Sequence, residues 1–251
     1  MKVLTPAERL IVAADYRPPL GLAVGGEGRK WVRSKVLSLA DSLKGTGVYI
    51  KVNSALRACG YDLISEIRSR GLRVFADLKL YDIGETLSTD GVLLCEEAPE
   101  LLTVVCSTGK VAMQALKKEF LYTEVLGVTI LTSVTQEEAN RTYSFAVLKD
   151  SVCMFARNAT DAGMDGIICA ATEIELVRKS INDWMTINTP AIRPTWAIVP
   201  GDDQNPDRIM TPFKAIKAGA DRIVVGRPIV QSKNPYDAAM RTIDEIASAS
   251  A

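Results

Sequence analysis

The stretch "VFADLKLYDIGET", residues 74–86, sets an acid, a base and a second acid (Asp77, Lys79, Asp82) into what otherwise reads as a buried strand and its exit loop. Charges seldom enter a core unless something specific holds or uses them. Residues two apart in a strand share a face, so Phe75, Asp77 and Lys79 point one way and Val74, Ala76, Leu78 and Leu80 the other. The apolar set suits a face packed against helices. Asp77 and Lys79 then face the inside of a barrel near its C-terminal end, where the active sites of that fold are built.

Working outward, short apolar runs recur along the chain: "RLIVAAD" (9–15), "VYIKVN" (48–53), "RVFADLKL" (73–80), "LLTVVC" (101–106), "VLGVTIL" (125–131), "GIICAA" (166–171), a run between 184 and 200, and "RIVVGRPI" (222–229). Between them, segments such as "GYDLISEIRSRG" and "SVCMFARNATDAG" show apolar spacing near 3.6 and end at Gly, a helix stop signal. Strand alternating with helix eight times predicts an α/β fold, a (β/α)₈ TIM barrel, rather than an open doubly wound sheet. Both "WMTINTPAIRP" and "PTWAIVPG" can supply the seventh strand, and the first is preferred. No linker, low-complexity stretch or solenoid-type repeat interrupts residues 1–251, so a single domain is expected.

Parity extends the charged face. In strand 2, Val48, Ile50 and Val52 face the helices and Lys51 turns inward, while strand 1 carries Asp15 at its C-terminal end. The competing reading is an ordinary ion pair between Asp77 and Lys79 on a solvated strand, worth only about 0–1 kcal/mol. Four strand-end charges (Asp15, Lys51, Asp77, Lys79) from three consecutive strands at one mouth weigh against it. A lysine between carboxylates stays protonated and is placed to donate a proton.

Composition narrows the chemistry. The 251 residues are 47% hydrophobic and 24% charged, with thirty basic residues balancing thirty acidic ones, so no basic footprint for nucleic acid is expected. The five cysteines (Cys59, Cys95, Cys106, Cys153, Cys169) are odd in number and widely spaced, which fits reduced thiols better than a disulfide framework or zinc site. The N-terminal residues lack the apolar core of a signal peptide and no apolar run is long enough to span a membrane; a soluble, cytoplasmic protein is expected. The chain contains no histidine, which removes Ser-His-Asp and Cys-His schemes and imidazole-dependent metal sites. Acid–base chemistry therefore falls to Lys, Asp, Glu, Tyr or Cys.

The C-terminal third, "PGDDQNPDRIMTPFKAIKAGADRIVVGRPIVQS", brings Gly226 and Arg227 to the rim after strand 8. Barrels often bind phosphate there, with backbone N–H groups and a guanidinium as donors. The plain alternative is a solvated Arg at a helix start. "DDQNPD" is polar and Pro-containing, and reads as a long mobile loop able to fold over a ligand.

With these residues in view, the chain resembles the orotidine 5'-phosphate decarboxylase family along nearly its whole length. "DLKLYDIGET" resembles the family's Asp-x-Lys-x-x-Asp-Ile signature. "AADY", "IKVN", "GVTILTS", "AGMDGIICAATE", "TPAIRP", "GDDQNPDRIMTP" and "VVGRPI" follow in the family's order. The resemblance implies loss of CO₂ from orotidine 5'-monophosphate to give uridine 5'-monophosphate in pyrimidine nucleotide synthesis, a carboxy-lyase reaction without metal or organic cofactor. It implies Lys79 as proton donor to C6 and Asp77 against the departing carboxylate, with Lys51 and Asp82 completing a Lys-Asp-Lys-Asp array. It also implies Asp15 and Lys51 at the ribose hydroxyls, Thr86 on the ribose side, and Thr132 and Ser133 on the pyrimidine side. Arg193, Gln204, Gly226 and Arg227 fall at phosphate positions. Asp82 would reach the neighbouring subunit's site, which implies a homodimer with shared active sites. "DIGET" stands where "DIPNT" is frequent, and Cys106 where a strand-4 histidine is common; neither touches the array.

Two other readings stay open. A Mg²⁺-dependent sugar-phosphate lyase or decarboxylase of the same superfamily shares the Asp-x-Lys-x-x-Asp strand, but its site needs further acidic ligands where this chain offers Lys51 and a single Asp15. A non-catalytic nucleotide-binding barrel is the third, and the intact Lys51, Asp77, Lys79 and Asp82 argue against it.

Overall fold

Eight runs of three to eight residues form strands because each alternates a helix-facing apolar set with an inward set, and each closes within a turn of its predicted position. They are β1 Leu10–Ala13, β2 Tyr49–Val52, β3 Arg73–Leu80, β4 Leu101–Val105, β5 Glu124–Val128, β6 Gly166–Ile168, β7 Thr186–Thr189 and β8 Arg222–Val225. The computed structural model describes residues 3–22, 26–143, 147–197 and 210–250. Every strand pairs in parallel with its sequence neighbours, and β8 returns to β1, which gives a closed barrel. This is the (β/α)₈ fold that the sequence predicts. β7 falls within "WMTINTPAIRP", the preferred of its two candidates.

The outer helices include the crossovers Glu27–Ser42, Gly84–Cys95, Lys110–Lys118 and Leu148–Asp161, and Pro235–Ser250 after β8. Leu148–Asp161 ends as expected, with Gly163 in the left-handed region at φ 76°, a conformation that costs glycine nothing. Among the described residues, no helix is long and apolar enough to cross a membrane.

Burial divides into two shells. The larger lies between strands and helices and includes Val48, Ile50, Val52, Val74, Ala76 and Leu78, the outward sets of β2 and β3. The smaller fills the barrel with Ile11, Ala13, Tyr49, Phe75, Leu101, Leu126 and Val224. Each fully buried side chain of this size contributes roughly 1.5–3 kcal/mol relative to exposure, so the two shells hold the strands in register.

Below the inner shell, at the N-terminal end, Arg222 is 1% exposed. Its guanidinium donates to both carboxylate oxygens of Glu124, at 2.8 and 2.7 Å, and to Asn188 Oδ1 at 3.3 Å, and lies 5.3 Å from the Tyr49 ring centre. Arg73 stands on the same ring at 5.6 Å and pairs with Glu8 at 3.0 Å. The interior is therefore layered: an ionic floor, an apolar middle and a polar mouth.

Candidate active site

The mouth opens into a cavity of about 1060 Å³, lined from β1 by Asp15, from β2 by Lys51, from β3 by Asp77 and Lys79, and from the β7 and β8 exits by Arg193, Gly226 and Arg227. Parity accounts for the first four, because Asp15, Lys51, Asp77 and Lys79 each lie an even number of residues from an inward-facing apolar residue (Ala13, Tyr49 and Phe75), whereas Arg193, Gly226 and Arg227 come from the segments that leave β7 and β8. Lys51 Nζ contacts Asp15 Oδ2 at 2.9 Å and Asp77 Oδ2 at 3.3 Å, and Lys79 Nζ contacts Asp77 Oδ2 at 2.6 Å. The four groups form one alternating chain, Asp15–Lys51–Asp77–Lys79. Burial alone would push the Lys51 ammonium down, but Asp77 and Asp15 outweigh it and hold it above its ordinary value.

β3 does not run regularly to its end. Ala76 is opposite Leu102 but Leu80 is opposite Val104, so β3 carries extra residues here, and Lys79 sits at φ 48°, in the left-handed region. That conformation costs a side-chain-bearing residue of order 1–2 kcal/mol and persists only where neighbours impose it. The extra length turns the end of the strand so that Lys79 meets Asp77 inside the mouth. Ala191, at φ 64°, is a second such residue on the cavity wall.

Of the residues predicted for the site, Asp15, Lys51, Asp77, Lys79, Thr132, Ser133, Arg193, Gly226 and Arg227 line this one cavity. Asp82 and Thr86 do not. Asp82 is exposed just before helix Gly84–Cys95, where its Oδ1 accepts the Ile83 N–H at 2.7 Å, and Thr86 is exposed within that helix. Gln204 and the "DDQNPD" segment lie outside the described residues. Tyr16, Arg17 and Gln231 also line the cavity and went unread, since the first two sit in a loop and the third caps the end of a short helix, with no strand parity to follow. Thr103 was missed too, though inward parity on β4 (Leu101, Thr103) could have found it. Among the described residues, no group of three or more His, Cys, Asp or Glu side chains is placed to hold a metal ion.

The arrangement sets two ammonium groups and two carboxylates at the bottom of a wide opening, with two guanidinium groups across it. Such a site suits a doubly polar anionic ligand, one end held by arginines and the other presented to a fixed proton donor. A sequence profile described as "Orotidine 5'-phosphate decarboxylase / HUMPS family" matches residues 8–242. A protein of Afipia carboxidovorans named orotidine 5'-phosphate decarboxylase is 36% identical over 248 residues, covering 97% of this chain and 97% of that one. One of the same name from Syntrophotalea carbinolica is 33% identical over 252 residues, covering 96% of each. The crystal structure of orotidine 5'-phosphate decarboxylase from Lactobacillus acidophilus is similar with a TM-score of 0.73 and 26% identity, over 95% of this chain and 99% of that one. The strand order, the β3 charges and these similarities agree: the chain belongs to the orotidine 5'-phosphate decarboxylase / HUMPS family.

Proposed function

We propose that this chain, acting as a single domain over residues 1–251, converts orotidine 5'-monophosphate to uridine 5'-monophosphate and CO₂, as a carboxy-lyase of pyrimidine nucleotide synthesis. The observation that carries the reading is the Asp15–Lys51–Asp77–Lys79 chain at the barrel mouth, with its terminal ammonium aimed into the cavity. Loss of CO₂ leaves an electron pair on an sp² carbon with no adjacent sink. The Lys79 ammonium stabilises that charge as it develops and then delivers its proton to C6, after which solvent reprotonates the amine. Asp77 lies against the leaving carboxylate and orients Lys79 through their 2.6 Å contact.

Across the cavity, Arg193 and Arg227, with Gly226, take the phosphate; Thr132 and Ser133 face the pyrimidine; Asp15 and Lys51 hold the ribose hydroxyls. Phosphate binding far from the reacting carbon supplies energy for orienting it. Purified, metal-free protein should deplete the ultraviolet absorbance of orotidine monophosphate. Turnover that disappears with a chelator and returns with Mg²⁺ would favour the sugar-phosphate reading instead.

Asp82 completes the array in a second subunit of a homodimer. Its exposure supports this, as do exposed Tyr81 and Ile83 beside it and exposed Val111 on the neighbouring helix Lys110–Lys118, an apolar patch next to an exposed carboxylate. Mixing inactive Lys79→Ala subunits with inactive Asp82→Asn subunits should restore activity in heterodimers, and no recovery refutes the shared site.

A further inference from the structure

Thr103 lies on β4, fully buried and outside the cavity lining, yet its hydroxyl is spent entirely on the site. It accepts the backbone N–H of Lys79 at 2.9 Å and donates to Asp77 Oδ1 at 3.0 Å. The register shift between β3 and β4 is the reason the amide is available: past Ala76 the two strands no longer match residue for residue, and Lys79 N–H turns to a side chain. The carbonyl of the same peptide unit, Leu78 O, accepts from the Arg57 guanidinium. The peptide that precedes Lys79 is therefore held at both ends, by Thr103 on one side and Arg57 on the other.

We propose that Thr103 is a positioning residue for the Asp77–Lys79 pair, an inference that rests on the decarboxylase reading above. One hydroxyl sets two things. By taking Oδ1 of Asp77 it leaves Oδ2 to both ammonium groups, at 3.3 Å from Lys51 and 2.6 Å from Lys79. By taking the Lys79 amide it sustains the left-handed backbone that aims the ammonium into the mouth. A hydroxyl can do this because it donates and accepts at once. A valine of the same shape can do neither, and leaves a buried amide and a carboxylate oxygen short of a partner.

The test compares Thr103→Val with Thr103→Ser. A group displaced by a fraction of an ångström to about 1 Å from its productive place costs up to about a hundredfold in rate. Thr103→Val should lower kcat about 10- to 100-fold with KM for orotidine monophosphate within about twofold, and Thr103→Ser should recover to within about threefold of the wild type. Binding gives a second measure: affinity for a uridine monophosphate analogue carrying an anionic oxygen at C6 should fall with kcat, while affinity for uridine monophosphate itself holds.

Amide hydrogen exchange gives a third, independent of turnover, since exchange at Lys79 should quicken at least about tenfold in Thr103→Val without a matching change elsewhere in β3. Unchanged kcat and exchange in Thr103→Val, or equal weakening of both nucleotides, overturns the assignment. Wild-type protein that fails to decarboxylate overturns the decarboxylase reading instead, and the Lys79 exchange then decides on Thr103 alone.

Discussion

The barrel holds two ionic clusters, one at each end of the same apolar plug, and they differ in what surrounds them. At the floor, Arg222 meets Glu124 with two parallel hydrogen bonds, adds Asn188 and lies over the Tyr49 ring, on regular strands. At the mouth, Lys79 has a single carboxylate contact, leaves the rest of its ammonium facing an open cavity, and rests on a strained backbone. A bidentate pair built on a buried guanidinium holds structure. An ammonium with one carboxylate contact on a cavity wall keeps donors in reserve for a ligand.

The comparison breaks most sharply if the roles are reversed. Lys79→Ala should lower kcat by about 10²–10⁴ with unfolding behaviour close to wild type. More than about a tenth of wild-type kcat remaining in that variant contradicts the proton-donor role. At the floor, Arg222→Met should cost about 3 kcal/mol by urea denaturation, because it leaves Glu124 without its cation, while kcat per folded molecule stays within about twofold. Adding Glu124→Gln should return much of that stability; if the double variant is no better than the single, the floor is not acting as a pair.

The phosphate side offers a smaller effect of a different kind. Arg227→Ala removes a charge-assisted contact worth about 1.5–3 kcal/mol, so binding of uridine monophosphate should weaken by one to two orders of magnitude and that of uridine hardly at all. Equal losses for nucleotide and nucleoside refute the assignment.

The smallest effect is in pH. Lys51 is held above its ordinary 10.5, against the burial that opposes it, by Asp77 and Asp15. Folded protein then binds that proton more tightly than the unfolded chain, so the stabilisation is complete below about pH 10.5 and is lost as pH rises through the raised value. The stability gap between wild type and Lys51→Met should stay flat through neutral pH and narrow only above about pH 10.5, in denaturant midpoints taken at pH 7, 9 and 11. Arg222, also held above its ordinary value by Glu124 against its burial, should show no such narrowing over that range.

Much of this was legible from alternation alone. In "RVFADLKL" the outward Val74, Ala76 and Leu78 and the inward Phe75, Asp77 and Lys79 separate as a strand of period two requires, and "VYIKVN" does the same for Lys51. What alternation does not carry is irregularity. The register slip past Ala76 and the left-handed Lys79 have no signal in residue type, since a lysine is an unusual occupant of that region. Thr103 hid in "LLTVVC", where a β-branched residue reads as an ordinary strand former. The floor cluster hid for another reason: Arg222 and Glu124 begin their strands, and charges at strand starts pass as boundaries. Arg193 and Arg227, expected on the phosphate side, do line the cavity, and Gln204 lies outside the described residues.

The apolar plug has a consequence for traffic. Ile11, Phe75, Leu101, Leu126 and Val224 are each at most 7% exposed and stand over the Arg222–Glu124 floor, so among the described residues the plug blocks passage through the barrel and the mouth is the way in. On the decarboxylase reading, nucleotide enters and leaves by the mouth and the CO₂ released at Lys79 takes the same route. A substitution that narrows the mouth should then slow departure of both products together.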